Sequence, residues 1–279
     1  MKIKTILIPS IAWLLAACAE DVEQLAQNYL SRAQVLYANE QYHTAKLQLD
    51  SIKILYPTAF EARAKAQTML LHIDLSDSQR NLNYIDSLLT HSYAKVQRLS
   101  PLFYLDKDVN YQDIGTYYAS RYRTEKNIGR TYMRPQTDEK GVFSIVIFQR
   151  GKSLNPHTLR FTATDGTFIE IASPTSHSWA DASGRTERID FATTSISSIA
   201  SFVEMHTDTN VKVELIGTNG KATIPFTKTD KQNLLDIADF AKHLHYICDL
   251  KNKQEETNRR IDFIHSRLQA DSIRNTTRG

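Results

Sequence analysis

Between residues 103 and 134, Phe103, Tyr104, Tyr111, Tyr117, Tyr118, Tyr122 and Tyr132 are interleaved with Arg121, Arg123, Lys126, Arg130 and Arg134. Tyrosine rings beside guanidinium planes can stack on a sugar, or hold an anion against an apolar wall. Tyr118, Arg121, Tyr122 and Arg123 are therefore the candidate ligand-binding residues. The simpler account of the same residues is a packed junction, with ring bodies buried and hydroxyls and arginine stems reaching water.

Other chemistry-bearing sets are weaker. His243 and His245 stand two apart, so on a helix they point to different faces. His245 and Asp249 have the four-residue spacing of two metal ligands, but no third ligand is signalled. His177, Ser178 and Asp181 are the residue types of a hydrolase triad, yet they read as one polar loop around Trp179, without a strand–turn–helix elbow. Asp106, Asp108 and Asn110 mimic the first positions of a calcium loop. Tyr111 and Tyr117 then occupy the places where that loop needs glycine and a bidentate glutamate. Cys248 lies among Leu244, Ile247 and Leu250 and reads as a small buried hydrophobe. The nine glycines contain no G-x-G pair and none precedes a phosphate-binding lysine, which excludes the common nucleotide cradles. No catalytic residue, metal or cofactor is expected.

Lys plus Arg is 34 and Asp plus Glu is 31, a net charge of +3. That balance excludes a nucleic-acid binder driven by bulk charge. The first 18 residues, MKIKTILIPSIAWLLAAC, place two lysines before an apolar run and end on small residues and Cys18. This is the plan of a secretory signal, and the run is too short to span a bilayer. Leu15-Ala16-Ala17-Cys18 resembles the lipobox of bacterial lipoproteins. The resemblance implies removal of residues 1–17 and acylation of Cys18, leaving a chain of 32 basic and 31 acidic residues, since Lys2 and Lys4 go with the signal. Ala19 is not the aspartate that commonly retains lipoproteins at the inner membrane. The expected location is the outer membrane, on its periplasmic face or at the cell surface. Glu20-Asp21 is similar to acidic export signals and equally suits a solvated helix start.

From residue 18 to about 100 the chain reads as helices. Tyr29, Ala33, Leu36, Tyr42, Ala45, Leu49, Ile52 and Pro57 resemble the signature of one tetratricopeptide repeat, with the turn at Asn39-Glu40-Gln41. The pattern fades after this unit, and a single unit cannot bury its own apolar face. The expected cover is the C-terminal helix, residues 230–279, with Thr229 as N-cap and Gln232 completing a capping box. Its Ile247, Leu250, Ile261, Ile264 and Leu268 match a stripe of Ile73, Leu82, Ile85, Leu89 and Val96, as antiparallel partners or a short coiled coil. The alternative is a seam left open for a partner.

Residues 101–229 read as a β-rich domain entered by a helical linker. Val142–Phe148 is a strand run, and Asp165-Gly166 and Asn219-Gly220 mark hairpins between alternating segments. Residues 194–206 fit helix or strand. The fold class is α+β. The whole resembles envelope lipoproteins of Gram-negative gut bacteria that join a repeat-like helical start, a small β-rich middle and a terminal coiled helix. That resemblance implies an arrangement and a location rather than an activity. The expected role is a non-catalytic scaffold or adaptor, tethered to the membrane by lipid and binding another envelope protein, with no nucleic acid. The alternative is a glycan-binding or glycan-processing module using stretch 103–134.

Overall fold

The computed structural model describes residues 12–172, 174–181, 184–192 and 196–276, so the first eleven residues of the expected signal lie outside it. The fold is α+β. Helices α1 (Ala12–Ala38), α2 (Tyr42–Leu55) and α3 (Phe60–Leu99) come first, and α5 (Lys228–Thr276) ends the chain and packs on α3. Between them lie ten antiparallel strands: β1 (Phe103–Asp106), β2 (Thr116–Ala119), β3 (Tyr132–Asp138), β4 (Phe143–Arg150), β5 (Pro156–Ala163), β6 (Phe168–Ala172), β7 (Thr175–Asp181), β8 (Gly184–Ala192), β9 (Val211–Gly217) and β10 (Gly220–Ile224). Helix α4 (Ile196–Met205) resolves the ambiguous segment as helix. Two compact units form, one from the chain up to residue 87 plus residues from 252 onward, the other from residues 88–251. The division falls inside α3 and α5, so each of these helices serves both units.

In the helical unit, Ala26, Leu30 and Ala33 on α1 face Ala45, Leu49 and Ile52 on α2, all buried at spacings of three, four and seven residues. The alanines let the backbones approach closely. Glu40 adopts the left-handed conformation that closes α1, and its N–H donates to the Tyr37 carbonyl at 2.9 Å. The cover for this hairpin is the start of α3, whose Ala62, Ala66 and Ile73, with Ala59 just before the helix, join the same core. The C-terminal helix instead runs antiparallel to α3 farther along. Arg260 reaches Asp74 at 3.2 Å, and the Gln254 amide donates to Asp86 at 2.6 Å. Ile264 is buried there, as the stripe predicts.

In the β unit, a six-stranded sheet of order β1-β2-β3-β4-β8-β7 and a four-stranded sheet of order β10-β9-β5-β6 share one core. Ile145, Ile147, Ile189 and Phe191 from the first sheet meet Leu159, Phe161, Val213 and Leu215 from the second. Val203 of α4 and Phe240 of α5 complete the core. Residues 103–119 supply strands β1 and β2 where a helical linker was expected, with two short 3-10 turns at 120–126. Their aromatic and β-branched side chains, Phe103, Tyr104, Thr116, Tyr117 and Tyr118, favour a strand over a helix. The hairpin at Asp165-Gly166 forms as expected, with Gly166 at positive φ. In the other hairpin Gly217 pairs with Gly220, so the turn residues are Thr218 and Asn219, one position before Asn219-Gly220. Gly141, at positive φ, lies so close to α5 that a Cβ would strike the Ala241 carbonyl and the His245 backbone.

The cap of helix α5 lies two residues earlier than predicted. Thr227 is the capping residue: its N–H donates to Asp230 Oδ2 at 2.8 Å, and the Asp230 N–H donates back to Thr227 Oγ1 at 3.3 Å. This is a capping box with aspartate in place of glutamate, and it displaces the Thr229–Gln232 box. Gln232 donates instead to Asp236, one turn on.

Candidate functional site

The tyrosine–arginine stretch is built on the outer face of the six-stranded sheet. Tyr104 pairs with Tyr118 across β1 and β2, and Tyr132 pairs with Phe148 across β3 and β4. Arg134, two residues along from Tyr132, therefore shares this face, while Met133 between them enters the core. The result is a continuous stack. The Arg123 guanidinium lies 4.4 Å from the Tyr104 ring centre, and Tyr104 meets Tyr118 edge-on at 5.7 Å. Arg134 lies 4.2 Å from Tyr118 and 4.9 Å from Phe148, which stacks on Tyr132 at 4.7 Å.

Every named ligand candidate is already engaged in this network. Tyr118 is 3% exposed and donates its hydroxyl to Asp106 at 2.6 Å; Tyr122 is 4% exposed and donates to Asp230 at 2.7 Å. Burial and these carboxylates push both phenols well above the ordinary tyrosine range. Arg121 lies 3.5 Å from Asp230, and Arg123 pairs with Glu125 at 3.4 Å. Arg134 is buried with its Nε donating to Gln136, and burial pulls its pKa down while the flanking ring faces accommodate its charge. The stretch is thus a packed junction. Asp230 ties it to α5 by capping the helix and accepting from Tyr122 together.

The other sets are accounted for in turn. Asp106 accepts from Tyr118, and Asp108 accepts from the Asn110 N–H at 3.0 Å in a local turn. His177, Ser178 and Asp181 lie on strand β7 and not on a loop, because they pair with Arg188, Glu187 and Gly184 of β8. The alternation of a strand sends His177 and Ser178 to opposite faces, and the His177 ring stacks with Trp179 at 6.2 Å. His245 pairs with Asp249 at 3.5 Å on the surface of α5, and His243 lies 3.6 Å from Asp239. Among the described residues no group of three or more metal-ligating side chains forms. Cys248 is half-buried and unbonded to another cysteine.

The open site is one that the pattern reading missed. A groove of about 1050 Å³ runs between α1 and α3, with Asp271 of α5 also lining it. Gln27, Gln34 and Tyr37 line it from α1, and Gln67, Thr68 and His72 from α3. Gln27 and Gln34 are seven residues apart and so lie on one helix face. The signal that could have found them is this run of amides beside the repeat's buried alanines. Beside the groove, Tyr37 and Ser76 hydroxyls bond at 2.9 Å. Lys46 sits between Asp74 at 2.7 Å and Asp77 at 3.2 Å. Its partial burial disfavours the ammonium, but the hydrogen bonds to both carboxylates outweigh this and raise its pKa. The groove walls are thereby held in place without using the amides that line it.

No helix among the described residues is long and apolar enough to cross a membrane. Comparison with protein-family models, with curated proteins and with solved structures finds no match, so a functional reading rests on the residues and their geometry.

Proposed function

We propose that the protein is a lipid-anchored adaptor of the cell envelope, acylated at Cys18 and seated at the outer membrane, that binds a segment of another envelope protein without chemistry of its own. The observation that carries this reading is the groove between α1 and α3, which is open and carries three glutamines among apolar and charged side chains. A side-chain amide donates and accepts hydrogen bonds as a peptide group does. A row of amides therefore suits the main chain of an extended partner and places few demands on its sequence.

The test is affinity capture from envelope extracts. Gln34→Trp combined with Gln67→Trp fills the groove from solvent-facing positions. Captured partner should fall at least about tenfold with an unchanged melting curve, as expected when a bulky group blocks a binding cleft. Arg121→Ala with Arg123→Ala should leave capture intact. Equal capture by wild type and the double-tryptophan variant overturns the groove assignment. The glycan alternative needs an accessible ring face within 103–134; Tyr118 and Tyr122 are buried and offer none, which leaves the exposed Tyr111 ring as its candidate. It predicts the reverse pattern: binding to envelope polysaccharide, lost with the two arginines.

A further inference from the structure

The helical unit carries an exposed apolar tip. Ile54 is 75% exposed, Leu55 55% and Phe60 74%, and they stand at the end of α2, the connecting turn and the first residue of α3. The turn is rigid rather than loose. The Tyr56 N–H donates to the Ile52 carbonyl at 3.0 Å, and the Arg63 guanidinium donates to the Pro57 carbonyl at 2.5 Å. Single exposed apolar residues are ordinary, but three within seven residues of chain concentrate apolar area at one turn.

What identifies their partner is the position of α1. Because α1 and α2 are antiparallel, this turn lies at the same end as the start of α1. Two contacts fix the alignment: Glu23 Oε1 accepts from the Ala62 N–H at 2.6 Å, and Tyr29 meets Tyr56 with ring centres 5.7 Å apart. Leu25, 48% exposed, joins the same end from α1. Helix α1 continues unbroken from this level back through residue 18. At 1.5 Å per residue, the five residues from Glu23 to Cys18 span only about 7.5 Å. There is no linker between the acylation site and the folded unit.

We propose that the tip formed by Ile54, Leu55 and Phe60, with Leu25, rests in the surface of the bilayer that holds the Cys18 lipid, so that the helical unit stands on the membrane in one orientation. This rests on the acylation of Cys18 proposed above. A diacylglyceryl cysteine sits at the level of the headgroups, and side chains within about 10 Å of it along a rigid helix reach the acyl boundary. Charge does not supply the attraction. Lys53, Arg63 and Lys65 at this end are matched by Glu20, Asp21, Glu23 and Glu61. The contact is apolar and should be indifferent to salt and to anionic lipid. Tyr42, at the other end of the fourteen-residue α2, is then held about 20 Å away from the bilayer.

The mature acylated protein, purified and reconstituted into vesicles, decides the matter. Trp179→Phe provides a background without tryptophan, since Trp13 leaves with the signal. In that background, Phe60→Trp should show blue-shifted emission and lose at least a third of its intensity in phosphatidylcholine vesicles brominated on the acyl chains. Tyr42→Trp should show neither effect. Emission from Phe60→Trp that is unshifted and unquenched, in protein whose Cys18 peptide carries acyl mass, overturns the tip contact and leaves the anchor standing. If Cys18 carries no acyl mass, the same variant added to preformed vesicles tests the tip alone. A blue shift then supports it, and no shift overturns it. An unquenched indole in protein that sediments as a dimer assigns the patch to a second copy and also overturns the proposal.

Discussion

Leu49 and Ile52, at the centre of the helical unit, share their core with Ala26, Ala33, Ala45 and Ala62. Tyr118, Tyr122 and Arg134, also buried but in the β unit, carry hydroxyls and a charge, bonded to Asp106, Asp230 and Gln136 in turn. The helical unit is held by close apposition of small residues, and its amides line an open groove. The β unit commits its tyrosines, arginines and aspartates to internal bonds. A polar group already bonded in the interior must break that bond before it can bind a ligand, at about 1–3 kcal/mol for each orphaned partner. Contact with other molecules is therefore expected from the helical unit, although the β unit has the more conspicuous residues.

The largest test of this contrast is Ile264→Asp on α5. It places a charge in an apolar site packed against the helical unit, and should destabilise by on the order of 4 kcal/mol. Thermal unfolding followed by far-ultraviolet circular dichroism measures it; an unchanged curve would mean that this part of α5 contributes nothing to the fold. Next in size is Asp230→Ala, which removes the cap of α5 and leaves the buried Tyr122 hydroxyl without its acceptor. A loss of about 3 kcal/mol is expected. Asp230→Asn keeps one acceptor oxygen for either Tyr122 or the Thr227 N–H, which use different carboxylate oxygens, and should lose about half of that. Equal losses for the two would show that the hydrogen bonds to this position are not what matters.

The smallest expected effect is titration of His243. Burial lowers its pKa, and although Asp239 favours the imidazolium, Lys242 on α5 and His91 and Lys95 on α3 oppose it. The folded protein therefore holds His243 neutral at a pH where the unfolded chain, near 6.5, takes up a proton. Stability from this group is present above about pH 6.5 and is lost as the pH falls through the lower folded value. The melting temperature should drop by about 2 °C more in wild type than in His243→Gln between pH 7.5 and 5. An identical pH dependence in both proteins would remove His243 from the account.

The residues alone determined helix or strand where the apolar period is strong, because there the choice depends on neighbours within one turn or one strand pair; β1, β2, β7 and α4, whose patterns are weak, were not legible. The alanine and leucine spacing of 26–52 specified the helical hairpin, and the alternation around Asp165-Gly166 specified a β-hairpin. The α3 and α5 stripes marked two helices that do pack together, although Ile73 joins the α1–α2 core and Leu82, Val96, Ile261 and Leu268 are only half-buried. What only the tertiary structure decided was the use of each polar side chain. Thr227 and Thr229 are equivalent as caps by local pattern, and Thr227 caps α5 because Asp230 is fixed by Tyr122 from 108 residues away. The same long-range bond helps take Tyr122 out of the candidate surface, while Tyr111, Arg121, Lys126 and Arg130 stay exposed. The groove was invisible for a related reason: it exists only where α1, α3 and the end of α5 converge, and burial is a property of such convergence, which no local spacing encodes.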